Sequence, residues 1–411
     1  MGMIINIDEA LKLRTDYNVL KEPLHKMLQD RQEAWEKENP IDFLYVRGNI
    51  SSFQETYTSS IGFDHAFKEV GDYAVGPIFN TAEGFAATYR TRTFQGGFIV
   101  TQQALEDRQV GKIRDDANAF MKRWHGDIVE YSMAAIAGGF GVDSYFEGSR
   151  LRLNSADTVD GRIENSVQNP LFSKKHTIVR REGMTDTDIS NAYQSNLFYA
   201  DIDLAGDDAG KLTKLADAIN QVITIMENYK DDNNKYAGVD GAKDIVTSND
   251  PRIKGAIRTI LDMEMFKQGE SMYVNQAYKR ANLKVTPYLN DIAQCKIATD
   301  TKCARGIFIV DKAYNAANHG PELTERIPLT LDVIETKRPR GITYDGRQRF
   351  DINCASWRGI AYLYLGVPAG EAGAWDAVAN FTQIVPNDTI VREVRIVNGT
   401  ADPVNTKAVT Q

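Results

Sequence analysis

A single long α-helix over residues 112–137 is the feature that most constrains how this chain can fold. Its apolar residues recur at spacings of three and four, which is the period of one helix face, and Gly138 and Gly139 follow it. These residues are Ile113, Ala117, Phe120, Met121, Trp124, Ile128 and Tyr131. At ~1.5 Å per residue the helix spans about 39 Å. Strands and helices do not alternate along the chain, so we do not expect a doubly wound sheet.

The residues ahead of this helix predict two pieces that a lone chain would bury poorly. Residues 8–38 form a charged helix with Pro23 near its start. Its apolar stripe is narrow and consists of Leu20, Leu24, Met27, Leu28 and Trp35. Residues 40–95 are rich in aromatic residues, and residues 84–94 alternate in the manner of a strand with one solvated side. We interpret them as a long β-hairpin, which is marginal alone in water and requires a partner surface.

The rest of the chain predicts an α+β fold, with helices early and in the middle and strands late. Helices are expected over 211–229 and from Pro251 through Leu261, with Asp250 as N-cap after a strand at 244–248. Residues 140–205 are polar and are expected to form loops. Further strands are predicted at 98–100, 283–288, 305–311, 328–335, 347–354, 358–365 and 388–398. The 358–365 strand is apolar on both faces and is therefore expected at the centre of a sheet.

Composition excludes several classes of protein. The 411 residues carry a formal charge of −8, so no overall basic field is available for coating nucleic acid. No apolar run approaches the length of a membrane span, and the first residues are too polar for a signal peptide. Three cysteines, Cys295, Cys303 and Cys354, do not make a disulfide scaffold, and no histidines cluster with them to bind zinc.

No motif in the sequence predicts a catalytic residue, a cofactor-binding residue or a metal ligand. The glycines around Phe140 follow a helix rather than a strand, so we interpret them as a helix stop and not as a dinucleotide site. His125 is interpreted as an exposed or hydrogen-bonded side chain, His319 as part of a turn, and Cys354 as core. The other histidines, His25, His65 and His176, form no metal-binding or catalytic spacing.

The charged clusters are likewise interpreted as structural. The pairs Asp115-Asp116 and Asp207-Asp208 are adjacent in sequence, so on a helix they diverge by about 100° and cannot act as a carboxylate dyad. Basic residues gather at 174–176, 180–181 and 337–340. Arg338 and Arg340 flank a proline in a predicted loop, which is either solvated or in contact with carboxylates of a neighbouring subunit.

The order of elements around the long helix resembles a known family. A strand ending in Phe98-Ile99-Val100-Thr101, a short helix from Gln102 and the helix at 112–137 resemble the major capsid proteins of tailed bacteriophages. Their Hong Kong 97-type fold has an N-terminal arm, an extended hairpin loop and then a long spine helix. The strand–helix unit at 244–261 is similar to that of the axial domain, and 346–365 to the closing strands of the peripheral domain. Residues 169–176 resemble the Mu-like head subunits.

This resemblance implies a division of the chain into six parts. They are an N-terminal arm (1–42), an extended hairpin loop (43–97), a peripheral domain with spine helix 112–137 (98–205), an axial domain (206–282), closing strands (283–366) and a C-terminal extension (367–411). Some family members crosslink a hairpin lysine to a neighbour, and Lys68 is the only lysine between 40 and 95. No partner for Lys68 is implied, so we do not expect crosslinking.

The resemblance also implies a function. It is that of a non-enzymatic subunit that assembles, as hexamers and pentamers, into the icosahedral head of a tailed phage or prophage around double-stranded DNA. Residues 1–40 are too short for a scaffolding domain, so a separate scaffold and a portal are implied, a decoration protein is left open, and no membrane is involved. DNA contact is expected to be weak and non-specific, with assembly in the bacterial cytoplasm. The alternatives are an encapsulin-like compartment, another phage structural part such as a tail protein, and a cytosolic enzyme with an unrecognised site.

Overall fold

The structure, a computed structural model, describes most of the chain between residues 17 and 405. The described residues are 17–37, 39–63, 81–101, 103–104, 107, 110–137, 139, 152–159, 162–173, 176–177, 193–202, 204, 209–231, 235–268, 271–289, 296–297, 300–301, 305–337, 340–366, 376–377, 392–397 and 400–405. No helix among them is long and apolar enough to cross a membrane.

Five α-helices are described, and the predicted helices at 112–137, 211–229 and 251–261 are confirmed, as is the described part of the one at 8–38. They are α1 (Tyr17–Lys37), α2 (Val110–Ala137), α3 (Ala209–Glu227), α4 (Pro251–Asp262) and α5 (Lys312–Ala317). Helix α4 begins as predicted, because Oδ1 of Asp250 accepts a hydrogen bond of 2.9 Å from the N–H of Arg252. Helix α5 was not predicted, since its six residues are too few to show a period. Short 3₁₀ helices lie at Pro40–Phe43 and Pro287–Leu289.

The strands confirm the mixed α+β class and extend the sequence prediction. They are β1 (Val46–Asn49), β2 (Gln54–Phe63), β3 (Thr81–Arg90), β4 (Arg92–Thr101), β5 (Arg152–Val159), β6 (Arg162–Pro170), β7 (His176–Thr177), β8 (Tyr193–Gln194), β9 (Leu197–Ala200), β10 (Lys243–Thr247), β11 (Met265–Gln268), β12 (Ser271–Val274), β13 (Ala281–Val285), β14 (Lys296–Ile297), β15 (Asp300–Thr301), β16 (Gly306–Asp311), β17 (Glu322–Lys337), β18 (Arg340–Asn353), β19 (Ile360–Leu365), β20 (Asp376–Ala377), β21 (Arg392–Val397) and β22 (Thr400–Asn405).

One four-stranded sheet, in the order β1-β17-β18-β4, carries the long helix α2. The helix packs against the sheet through Ile113, Ala117 and Met121, which meet Val100 of β4 and Tyr344 of β18 in one apolar cluster. Helix α1 completes this cluster with two buried leucines. Leu24 and Leu28 of the predicted apolar stripe are therefore buried on the long helix of the same chain, so the expectation that a lone chain buries this stripe poorly is wrong for these two residues.

A six-stranded mixed sheet, in the order β13-β10-β16-β19-β9-β20, forms the centre of the main core. Strand β19 lies between β16 and β9, and all of its residues are buried, which confirms the central strand predicted at 358–365. Helices α3 and α4 contribute buried residues to the same core, among them Leu215, Ile219, Ile257 and Ile260.

The predicted hairpin is also confirmed. Strands β2 and β3 pair antiparallel from Gln54 opposite Arg90 to Phe63 opposite Thr81. The prediction of loops over 140–205 is wrong in part, because β5 and β6 form a second hairpin that joins the first in a four-stranded sheet, β2-β3-β5-β6. We call this sheet the arm sheet. Its polar β5 and β6 escaped prediction because they lack the apolar alternation that marks a half-buried strand.

Candidate assembly interface

The arm sheet is attached at its base, which we call the arm root, to the rest of the fold, which we call the body. A small aromatic cluster, separate from the main core, forms this attachment. Tyr89 of β3 is fully buried and forms an apolar cluster with Ile50 and Ala355, against which Tyr57 packs. The rings of Tyr57 and Tyr89 meet edge to face with centroids 4.9 Å apart. Tyr57 also stacks on His319 with centroids 4.2 Å apart. The hairpin is thus fixed to the body by packing at its base.

A buried carboxylate fixes the same joint through the backbone. Oδ2 of Asp351, on β18, accepts a hydrogen bond of 2.9 Å from the N–H of Arg90, the last residue of β3. Thr91, which separates β3 from β4, is buried and donates its N–H to the carbonyl of Phe53 at 3.1 Å. Burial raises the pKa of Asp351 to about 6. Two hydrogen bonds, from Arg90 to Asp351 and from Thr91 to Phe53, therefore fix the backbone where the arm enters the body.

The turn that leads into the hairpin is organised by Glu55. One of its carboxylate oxygens accepts hydrogen bonds from the N–H groups of Ser51 and Ser52 at 3.1 and 3.2 Å, and the other accepts one from the hydroxyl of Tyr57 at 2.9 Å. The backbone hydrogen bond from Ser52 is the largest cause that lowers the pKa of Glu55 to about 2. The carboxylate therefore stays ionised at neutral and mildly acidic pH.

Helix α1 is attached to α2 by a polar contact beyond the apolar stripe. The ring of His125, on α2, stacks on Trp35 of α1 with centroids 4.2 Å apart and planes within 6°. Its Nε2 lies 2.7 Å from Oε1 of Gln32, so His125 is buried and hydrogen-bonded. Burial lowers the pKa of His125 to about 4, and the ring is neutral at pH 7. It acts as a structural joint between the two helices.

Trp124, which the sequence assigned to the core, lies at the edge of that core. Its ring is partly buried and packs near Phe120, with centroids 5.9 Å apart. Its indole N–H donates to Oε1 of Gln348 on β18 at 3.2 Å. The side chain therefore links the long helix to the sheet by packing and by a hydrogen bond.

The remaining histidines and Cys354 have structural surroundings where the structure describes them. His176 is buried, stacks on Trp357 with centroids 4.0 Å apart, and lies 2.9 Å from Oδ1 of Asn196. Burial lowers its pKa to about 3. Nε2 of His25 lies 3.0 Å from Nε2 of Gln29 on α1. Cys354 is buried as predicted, and burial raises the pKa of its thiol far above the usual range.

His319 confirms the predicted turn. It has a positive φ of 50°, which is uncommon for a residue with a side chain, and it follows α5. Its Nδ1 lies 3.2 Å from Oε2 of Glu322, the residue that opens β17. The turn places the imidazole of His319 against the ring of Tyr57. His319 is therefore a turn residue, as predicted, and also packs at the base of the arm sheet.

The charged clusters are split between described and undescribed residues. Asp115 and Asp116 are exposed on α2. Of the basic run predicted as a loop, Lys337 is the last residue of β17 and Arg340 the first of β18, so the prediction is wrong for these two, which lie opposite each other in the sheet. Some predictions fall outside the described residues. They concern His65, Lys68, Gly138, Phe140, Gly141, Lys174, Lys175, Arg180, Arg181, Asp207, Asp208, Cys295, Cys303, Arg338 and most of the helix at 102–109. Of that helix, the N-cap is described, since Ala104 donates its N–H to Oγ1 of Thr101 at 3.3 Å.

Among the described residues, no group of three His, Cys, Asp or Glu side chains is placed to hold a metal ion.

Sequence reasoning missed a buried ion pair in the six-stranded sheet. Nζ of Lys243 lies 2.6 Å from Oδ2 of Asp311, directly across from it on the neighbouring strand, and the two side chains are 2% and 0% exposed. Nζ also donates to the carbonyls of Val239 and Gly241 at 3.0 and 2.8 Å. Oδ1 of Asp311 accepts from the N–H of Tyr314 at the start of α5. The only signal in the sequence was Asp311, an acidic residue directly before α5, a helix that the sequence did not predict.

Comparison with known proteins gave matches among solved structures only. No protein-family model matches the sequence, and no curated protein matches it. The chain is similar to the virus-like particle from Pyrococcus furiosus, at 10% identity and a TM-score of 0.39, over 83% of this chain and 98% of that one. It is similar to the bacteriophage PhiM1 mature capsid, at 10% identity and a TM-score of 0.43, over 78% and 85%. It is also similar to the capsid of the Myoviridae phage XM1, at 12% identity and a TM-score of 0.39, over 79% and 90%. Each is described as a capsid or a virus-like particle.

Proposed function

We propose that this chain is a structural subunit of the icosahedral head of a tailed bacteriophage or prophage, and that its copies assemble into a closed shell around double-stranded DNA. The fold is then of the Hong Kong 97 type, with α1 as the N-terminal arm, β2–β3 as the extended loop and α2 as the spine helix. The protein works as a building unit of the virion rather than as an enzyme.

The observation that carries the proposal is the way in which the arm sheet is attached. Ten residues in each of β2 and β3 extend about 33 Å at ~3.3 Å per residue. Among the side chains that the structure describes, the arm meets the body at its root, through Tyr57, Tyr89 and the bond from Arg90 to Asp351. A β-hairpin is at most marginally stable alone in water, so we propose that the part of the arm sheet beyond this root lies on another copy of the chain.

The described elements also support the division into six parts. Helix α1 falls in the arm (1–42) and β2–β3 in the extended loop (43–97). Helix α2 falls in the peripheral domain (98–205), and α3 and α4 in the axial domain (206–282). The strands β17, β18 and β19 fall in the closing part (283–366). The extension (367–411) includes the β21–β22 hairpin, which we propose lies on a neighbouring subunit.

The charge of the chain is consistent with loose contact between shell and DNA. A net charge of −8 gives no general attraction to phosphate, so the interior would not hold the packaged duplex tightly. Identical subunits that make repeated head-to-tail contacts close into rings and shells, which fits hexamers and pentamers. A separate scaffold and a portal would then guide closure, and assembly would take place in the bacterial cytoplasm.

The test is electron microscopy and light scattering of the purified full-length chain and of one arm-deleted variant. The deletion removes residues 58–86 and joins Tyr57 to Ala87, which face each other across the hairpin, through an Asn-Gly turn. A deletion that began at residue 45 would remove Tyr45, whose buried hydroxyl donates to the carbonyl of Ser132 at 2.6 Å, and would damage the core.

We expect the full-length chain to form capsomers or megadalton shells, and the deletion variant to stay folded and dissociated. Normal shells from the variant would contradict the role of the arm. A stable monomer or dimer from the full-length chain, expressed with or without its neighbouring genes, would contradict the shell function. Shells that hold protein cargo and no nucleic acid would favour an encapsulin-like compartment instead.

A further inference from the structure

A cleft lies between α1 and α2. Its volume is about 610 Å³, and small-molecule sites have about 300–1,000 Å³. Its apolar lining comes from Trp35 of α1, Met121 and Val129 of α2, and Tyr288 of the 3₁₀ helix. Two cationic side chains, Arg31 and Lys122, line it from opposite helices and are exposed.

The cationic side chains of this cleft have no partner among the residues that the structure describes. The neighbouring Arg123, by contrast, pairs with Asp127 at 2.8 Å. The cleft also contains Asn118, whose side-chain Oδ1 is buried and accepts no hydrogen bond from any described group. Arg31 and Lys122 thus offer positive charge, and Asn118 offers a buried acceptor, that the described chain itself does not use.

A glycine in the wall of the cleft points to the same conclusion. Gly126 lies in the interior of α2, where glycine is less favourable than alanine by about 1 kcal/mol. A Cβ atom built at Gly126 would meet no atom within 4 Å, so the chain's own packing does not require glycine there. Glycine lets another backbone approach the helix closely, as a bound peptide would.

We propose that this cleft binds a peptide segment of another polypeptide in which acidic side chains alternate with apolar ones. The apolar side chains would pack on Trp35 and Tyr288, and the carboxylates would meet Arg31 and Lys122. The neutral His125 below adds no charge. This inference is independent of the shell function, because it concerns one subunit and one peptide.

A peptide fits the cleft better than DNA does. Phosphate backbones bind to open basic surfaces that follow the strand, and most of the energy comes from many charges. Here two cations stand over an apolar concave floor, which gives little to a duplex and much to an amphipathic peptide. DNA binding is therefore an outcome that the test must be able to detect.

The experiment measures binding of two fluorescein-labelled peptides to the full-length protein by fluorescence anisotropy. One peptide alternates leucine with glutamate, and the matched peptide has glutamine at every glutamate. A labelled DNA duplex is the third probe. The variants are Arg31→Gln with Lys122→Gln, and Gly126→Leu, which fills the cleft without removing a contact. Their matched controls are Arg123→Gln on the same helix and Gly255→Leu on α4, where a Cβ also meets no atom within 4 Å.

We expect the glutamate peptide to bind and the glutamine peptide to bind about tenfold more weakly, since loss of charged hydrogen bonds of this kind removes about 1.4 kcal/mol or more. The double variant and Gly126→Leu should weaken binding at least about tenfold, and both controls should leave it unchanged. Equal binding of the two peptides, no binding, or binding that neither cleft variant reduces would overturn the proposal. So would DNA binding that the cleft variants abolish. Electron microscopy of the same samples reports shell formation separately, so a failed cleft leaves the shell function standing.

Discussion

The carboxylate of Asp351 accepts a hydrogen bond from the backbone N–H of Arg90 across 261 positions of sequence, at 2.9 Å. The bond joins β18 of the body to the end of the arm strand β3. Tyr89, one residue earlier, is buried in the same joint. The packing of Tyr89 and the hydrogen bond from Arg90 to Asp351 therefore act on neighbouring residues of β3, and together they set the direction of the arm.

Acidification is expected to strengthen this joint. Because burial raises the pKa of Asp351 to about 6, above its value near 3.8 in the unfolded chain, the folded state binds the proton more tightly. The ionised carboxylate at pH 7 therefore destabilises the fold by roughly 3 kcal/mol, and this penalty fades as the pH falls from about 6 towards 4. Asp351→Asn removes the charge, and its amide oxygen can still accept from Arg90.

The measurement is the difference in thermal midpoint between wild type and Asp351→Asn from pH 4 to pH 8. The variant should be relatively more stable at pH 7, and its advantage should shrink below pH 6. The comparison cancels the opposite effect of His125 and His176, whose lowered pKa values make wild type and variant alike lose stability as the pH falls below about 6.5. Asp345→Asn, on the same strand, is the control. A difference that does not vary with pH would show that Asp351 is not a titrating buried acid.

Tyr89 is expected to stabilise the arm root through its ring and not through its hydroxyl. The hydroxyl oxygen is buried without a described hydrogen-bond partner, so Tyr89→Phe should leave stability unchanged or raise it. Tyr89→Ala removes a fully buried ring and should lower the free energy of unfolding by about 3–5 kcal/mol. Chemical denaturation of dissociated subunits measures both. A large loss of unfolding free energy from Tyr89→Phe would mean that the hydroxyl makes a hydrogen bond that stabilises the fold.

Trp124 on the long helix is expected to contribute less than a fully buried tryptophan. Its ring is only partly buried, and its N–H donates to Gln348. Trp124→Ala should therefore cost about 3 kcal/mol, at the lower end for loss of a large aromatic side chain. Gln348→Leu removes the acceptor together with the hydrogen bond of 2.6 Å that Nε2 of Gln348 donates to Glu325, so its cost is an upper bound on the contribution of the indole hydrogen bond. A loss from Trp124→Ala no larger than that from Gln348→Leu would contradict a contribution from the ring contacts.

Periodic segments of the fold could be predicted from the sequence, and long-range polar contacts could not. The apolar spacing from Ile113 to Tyr131 and the Asp250-Pro251 start signal act within a few residues, so they predicted α2 and α4. The hairpin β5–β6 lacked such a pattern. The role of Asp351 in fixing the arm could not be predicted, because it depends on a hydrogen bond from Arg90, which is far away in sequence. The cleft is likewise built from Arg31, Lys122 and Tyr288, which only the tertiary fold brings together.

The buried pair of Lys243 and Asp311 gives the most severe single substitution that we expect. Lys243→Met leaves the carboxylate of Asp311 buried at 0% exposure with its ion-pair partner gone, and loss of one partner of a buried pair typically costs about 3–5 kcal/mol. Adding Asp311→Asn to Lys243→Met removes that charge, and the amide oxygen can still accept from Tyr314 and cap α5. The double variant should therefore be more stable than Lys243→Met alone. Guanidinium unfolding of dissociated subunits followed by circular dichroism checks the order. A double variant less stable than Lys243→Met would show that Asp311 contributes as an anion to the cap of α5 even without the lysine.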